Sequence, residues 1–137
     1  MNTFAHLALQ EFRQRKASVD RAVAEGRFDR EAGNDNLNLW ASVLLACGAT
    51  PADLGPLGEE WQRERKLSGE EARQLFLRAG PSRAAYLAEL ARARDVAQAK
   101  YRDHPGDYRL EQRYHALKTL AAFLGATTAP APMREAA

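Results

Sequence analysis

Few residues in this sequence are of types that do chemistry, and their spacing works against it. His6, His104 and His115 are too scattered for the paired-ligand spacing of a zinc site. His104 has Asp103 and Asp107 for neighbours, the one local cluster of metal-ligating types. Yet Asp103-His104-Pro105-Gly106-Asp107 is also what a turn between two helices is made of. Cys47 is the lone cysteine, so no internal disulfide can form. Nothing near it in sequence offers a histidine and a third group to activate a thiolate, and it is expected as a small buried apolar residue. There is no Gly-x-Ser-x-Gly elbow, and Gly55-x-x-Gly58 lacks the Lys and Ser/Thr of a phosphate loop. The adjacent carboxylates Glu59-Glu60 and Glu70-Glu71 stand at helix starts, where the helix dipole and capping account for them. The reading is of a protein that is not an enzyme, with no cofactor and no metal.

Binding surfaces remain. Residues 69–94 have the outline of a helix-turn-helix: a short helix, Ala79-Gly80-Pro81-Ser82, then a helix opening Arg83-Ala84-Ala85-Tyr86. The first turns of such a helix meet base edges, which makes Arg83 and Tyr86 candidate contacts. Pro81 and a long alanine-rich second helix argue instead for a plain hairpin. Further on, Arg92, Arg94, Arg102, Arg109 and Arg113 are interleaved with Tyr101 and Tyr108. Arginine with aromatics can follow a phosphate backbone, although a solvated face with local ion pairs gives the same pattern.

The charge is unevenly spread. A net of +2 conceals a stretch, 31–60, with no Lys or Arg and five acids: Glu31, Asp35, Asp53, Glu59 and Glu60. The segments on either side are basic. An acidic middle can pair with those flanks or present an acidic surface to a partner. Those five acids and Trp61 are the candidate protein-binding residues. An exposed Trp40 or Trp61 would favour a dimer; the sequence is otherwise silent on oligomeric state.

The elements that must position these groups are helical throughout. Asn2 or Thr3 can cap a helix over 3–25 with Phe4, Leu7, Phe12, Val19 and Val23 in one stripe. Arg15-Lys16 interrupt the stripe, so the helix there either surfaces or lays basic stems across apolar neighbours. Gly26 stops it. Asp29 caps a second helix, expected to start late or fray because Gly33-Asn34-Asp35-Asn36 are poor helix formers. Leu37, Trp40, Leu44 and Cys47 then share a face up to Gly48. Thr50-Pro51-Ala52-Asp53 starts a single turn, and Gly55 to Gly58 reads as a hinge-like connector. A short charged helix over 59–66 is anchored by Trp61. Ser68 with Glu71 is a capping box for 69–79. A helix over 83–102 carries Tyr86, Leu90, Ala93, Ala97 and Tyr101. Asp107 caps the last helix, where Leu110, Tyr114, Leu117, Ala121 and Leu124 form one stripe ending at Gly125.

The spacing therefore predicts an all-α protein: one helical domain over 1–125, a bundle of five or six helices. A hairpin over 3–48 and another over 82–125 are joined by a crossover over 50–80, and 126–137 form a disordered tail. At an offset of 77, Arg15 falls on Arg92, Val19 on Val96, Trp40 on Leu117 and Leu44 on Ala121. This alignment reads equally as a duplication or as the likeness of any two helical hairpins. No apolar run is long enough to span a bilayer. With no basic start followed by an apolar run, the expected location is cytoplasmic.

Glu11-Phe12-Arg13-x-Arg15, then Val19 and Val23, Gly26-Arg27, Ala32, Leu39-Trp40 and Gly48-Ala49 resemble the opening hairpin of small uncharacterised helical proteins of phages and prophages. The likeness covers residues 7–49. It implies a mobile-element or defence-related setting and no chemistry. The leading expectation is an interaction protein that meets another protein through a charged helical surface. The alternative is a nucleic-acid-binding subunit using the last hairpin or the 69–94 segment.

Overall fold

The computed structural model describes residues 1–127. Over that span the chain is all-helical: α1 (Thr3–Ala24), α2 (Arg30–Ala46), a 3-10 turn (Pro51–Leu54), α3 (Pro56–Glu64), α4 (Gly69–Ala79), α5 (Arg83–Asp103) and α6 (Tyr108–Leu124). No strand occurs among the described residues, and no helix there is long and apolar enough to cross a membrane. The helices fall into two compact units, Met1–Ser82 and Arg83 onward. Where the sequence reading takes 1–125 as one domain with a crossover over 50–80, that segment sits in the first unit with α1 and α2.

In the first unit α1 and α2 run antiparallel. Asn2 fixes their relation at one end: its Oδ1 accepts from the Ala5 N–H (2.8 Å) and its Nδ2 donates to the Cys47 carbonyl (2.9 Å). One side chain thus caps the start of α1 and satisfies an orphan carbonyl at the end of α2. At the other end α1 closes with the Arg27 N–H on the Ala22 carbonyl (2.9 Å), with Gly26 left-handed between them. Asp20 then joins the two helices, meeting Lys16 at 2.8 Å and Arg30 at 3.0 Å.

Helix α2 does not start late. Asp29 caps it by accepting from the Ala32 N–H (3.1 Å), and the helix runs through Gly33 to Asn36. Gly33 is there because of packing: a Cβ on it would stand 2.6 Å from Val19 Cγ1. The cost of glycine in a helix is accepted where two helices approach this closely. Trp40, Val43, Leu44 and Leu45 are completely buried. Each such side chain contributes about 1.5–3 kcal/mol by leaving water.

The Arg15 interruption of the α1 stripe is accommodated by stacking. Its guanidinium lies 4.1 Å over the Trp40 ring and its Nε meets Glu11 at 2.7 Å. Glu11 is itself buried, so Arg15 covers an aromatic face and neutralises a buried acid together.

Helix α3 starts three residues earlier than expected. Gly55-Pro56, read from sequence as a break, is instead the entry to the helix, with Pro56 at its first position. Nor is Gly55–Gly58 a connector between units, because the unit boundary follows Ser82. Gly58 lets α3 settle on the 3-10 turn. Helix α4 begins with the expected capping box: Ser68 Oγ accepts from the Glu71 N–H (3.2 Å) and Glu71 accepts from the Ser68 N–H (2.9 Å). Arg73 then donates to the Leu45 carbonyl (3.1 Å), tying α4 to the end of α2.

In the second unit α5 and α6 form an antiparallel hairpin. Leu90, Ala91, Ala93 and Ala97 on α5 and Leu117, Leu120 and Ala121 on α6 are buried. Asp107 caps α6 through the Leu110 N–H (3.2 Å). Beyond Gly125 the chain is still packed. Ala126 is buried, its N–H bonds the Ala121 carbonyl (2.8 Å), and its carbonyl accepts from Arg94 (3.3 Å). The expected disordered tail therefore does not begin at 126; its residues 128–137 lie outside the described residues.

The four pairs that the offset of 77 brings together are unevenly matched in surroundings. Trp40 and Leu117 are both buried, as are Leu44 and Ala121, but Val19 is buried where Val96 is exposed.

Candidate functional site

The first unit contains a cleft of about 320 Å³. Its floor and walls come from four helices and the 3-10 turn. Phe12 of α1 and Leu37 and Ala41 of α2 form one side; Leu54, Leu57 and Trp61 form the other, with Phe76 of α4 at one edge. The polar members are Lys16, Asn34 and Asn38. This volume lies at the low end of the roughly 300–1,000 Å³ of ligand clefts, and the lining is mainly apolar, as such clefts are.

The cleft exists because of local backbone geometry. Gly55 at a φ of 131° turns the chain sharply between the 3-10 turn and α3. Asp53 holds that turn together, its carboxylate accepting from the Thr50 N–H (2.8 Å) and the Thr50 hydroxyl (3.1 Å). Helix α3 is thereby projected so that Leu57 stands at the rim, 81% exposed. Trp61 is half-buried, edge-on to Phe76 at 5.7 Å, with Arg65 lying 4.4 Å over its ring and bonded to its carbonyl.

The candidate protein-binding residues lie on the elements that form this cleft. Trp61 lines it, and Glu31 precedes the lining residue Asn34 by one turn of α2. Asp35 is exposed on the same helix. Glu59 and Glu60 are exposed on α3, where Glu59 makes only a long pair with Arg63 (3.8 Å). Asp53 is the exception, spent on the turn. Among the described residues Glu31, Asp35 and Glu60 have no ion-pair partner, whereas Lys16, which lines the cleft, is held by Asp20. Lys16 and Arg30, in that order, hold the Asp20 carboxyl below its usual range. Trp40, the other tryptophan weighed as a surface anchor, is fully buried.

A second depression is bordered by Leu67, Glu70, Glu71, Gln74, Leu75 and Arg78. Both of its carboxylates are engaged locally. Glu70 takes Gln74 (2.8 Å) and Arg73 (3.2 Å), and Glu71 closes the capping box; these bonds lower the pKa of each. Cys47 sits buried at the end of α2, where desolvation pushes its thiol up to about 12. Among the described residues no group of three or more His, Cys, Asp or Glu could hold a metal ion.

In the second unit the candidate nucleic-acid residues separate into two sets. Arg83 donates to the Leu124 carbonyl (2.8 Å) and to the Tyr86 hydroxyl (3.2 Å), and Tyr86 is only 4% exposed. Both serve the hairpin's own seam, because the last carbonyls of α6 need donors. Arg92 grips Glu89 through two bonds of 2.7 and 2.8 Å, which raises its pKa, and Arg94 bonds Asp95 and Ala126. Arg102 and Arg109 are exposed near the interhelical turn, and Arg113 is half-buried. There Tyr101 stacks on Tyr114 at 5.9 Å, His115 lies 5.3 Å from Tyr114, and Tyr108 is 70% exposed.

Sequence reasoning missed the cleft itself. Phe12 and Leu37 read as core stripe, and Leu57 falls in the hinge-like stretch Gly55 to Gly58. The available signal was Gly-Pro as a helix entry, which would have put Leu57 and Trp61 four apart on one face. No family model, no curated protein and no solved structure matches this chain.

Proposed function

We propose that this protein is a non-enzymatic interaction module whose first unit binds another protein through its acidic surface and the cleft beside it. The carrying observation is the placement of exposed Leu57 and half-buried Trp61 at the mouth of an apolar cleft. Exposed Glu31, Asp35, Glu59 and Glu60 lie on the two helices that form its sides. A large exposed apolar side chain at a cleft, ringed by polar groups, is the usual form of a protein contact. A mobile-element or defence-related setting rests on the likeness of residues 7–49.

A second reading gives the second unit a nucleic-acid strand. It is favoured by the Tyr101–Tyr114 stack with Lys118 5.9 Å from the Tyr114 ring and exposed Arg102 and Arg109 nearby. Such a surface offers stacking and phosphate contacts.

The test is capture from an extract of the native host with the full chain as bait. Two charge-reversed variants run beside it: Glu31→Lys with Glu59→Lys and Glu60→Lys, and Arg102→Glu with Arg109→Glu and Arg113→Glu. The first reading expects a protein that the acidic-surface variant loses and the other keeps. Retention of nucleic acid that falls steeply with salt and is lost only in the arginine variant would replace it with the second.

A further inference from the structure

We infer that the occupant of the first unit's cleft is an amphipathic helical segment of a partner, which seats a bulky apolar side chain against Leu57 and Trp61 and sets basic residues beside it. This rests on the proposed protein-binding reading and names the chemistry of the partner. Two observations carry it. The lining is mainly apolar, and the cleft is small enough to suit side-chain anchors from one helix face. Acids neighbour lining residues on both α2 and α3. Glu31 comes one turn before Asn34 on α2, while Glu60 follows Leu57 by three positions on α3 and Glu64 follows Trp61 by three. Residues three apart on a helix are surface neighbours. None of these three acids has an ion-pair partner among the described residues. Of the cations beside the cleft, Lys16 pairs with Asp20, while Arg65 lies over the Trp61 ring and bonds its carbonyl without an acid partner among the described residues, so the three unpaired acids outnumber it. An acidic helix would meet carboxylates on either side, whereas a basic one would find partners at each.

The geometry also supplies its own reporter. The chain has two tryptophans, and Trp40 is fully buried under Arg15, so quenching by acrylamide reads Trp61. The probes are two synthetic amphipathic peptides with the same leucine pattern, one with lysine and one with glutamate at the polar positions, titrated into the full chain. The Leu/Lys peptide is expected to shield Trp61 from acrylamide, and the Leu/Glu peptide to leave it accessible. Leu57→Asp, at a position too exposed to matter for folding, should weaken the Leu/Lys peptide by roughly tenfold or more. Joint Glu31→Lys, Glu60→Lys and Glu64→Lys replacement should invert the preference between peptides. Equal shielding by both peptides, shielding by neither, or unchanged affinity in Leu57→Asp overturns the inference. Shielding of Trp61 by a duplex oligonucleotide does so too. If the peptides fail while partner capture still depends on Glu59 and Glu60, this inference falls and the broader reading stands. If capture depends on Arg102, Arg109 and Arg113, the broader reading falls as well.

Discussion

Gly58 and Pro51 are in such close contact that a Cβ on Gly58 would lie 2.0 Å from the Pro51 carbonyl oxygen. The obstacle is backbone, which cannot rotate away as a side chain can. The 3-10 turn and α3 are therefore docked through a glycine, and that contact aims Leu57 and Trp61 at the cleft. Replacing Gly58 by Ala should destabilise the chain by about 1–3 kcal/mol through overpacking, despite alanine's better helix propensity. A denaturant midpoint unchanged or raised in Gly58→Ala would show that α3 is not held this way.

Gly33 and Val19 make a second close contact, this time with a side chain. Val19 is β-branched and stiff, so it yields poorly to a methyl 2.6 Å away. Gly33→Ala is expected to destabilise, and Val19→Ala added to it should recover part of the loss. In a double-mutant cycle the two changes should be non-additive by roughly 0.5 kcal/mol or more. Strict additivity would separate the two residues.

Acid should loosen the first unit. Asp20, Glu70 and Glu71 all have folded pKa values below their ordinary ones, through Lys16 and Arg30, Gln74 and Arg73, and Ser68 respectively. A depressed carboxyl pKa adds stability that is present above the unfolded value, near 4, and is lost as pH falls through the folded value. Stability is therefore predicted to be flat from neutral pH down to about 5 and to fall below about 4. Asp20→Asn should flatten part of that fall, as followed by thermal melts from pH 7 to pH 2.5.

Cys47 should behave as an inert core atom. With its thiol pushed up to about 12 by burial, almost none is thiolate at neutral pH. A disulfide reagent is expected to modify it only as fast as the chain opens, and at full speed in denaturant. Rapid labelling of the folded protein would contradict its placement.

Much of the scaffold was legible because it is written in local rules. The caps at Asn2, Asp29, Ser68 and Asp107 and the stops at Gly26, Gly48 and Gly125 follow from single residues acting on their own neighbours. What was not legible depends on contacts distant in sequence. Gly33 reads as a weak helix position until Val19 is placed against it. Arg15 breaks an apolar stripe until Trp40 is seen beneath it. Arg83 and Tyr86 look like base contacts until Leu124 is seen to need a donor. The cleft is the extreme case, since its lining comes from residues between 12 and 76 that no short window joins.

The most direct test of the central claim is amide hydrogen exchange on the full chain, alone and saturated with the protein recovered by capture. Added protection is expected over residues 34–41 and 54–61, with little change over 100–118. Protection confined to 100–118, with the cleft helices exchanging as before, would contradict it.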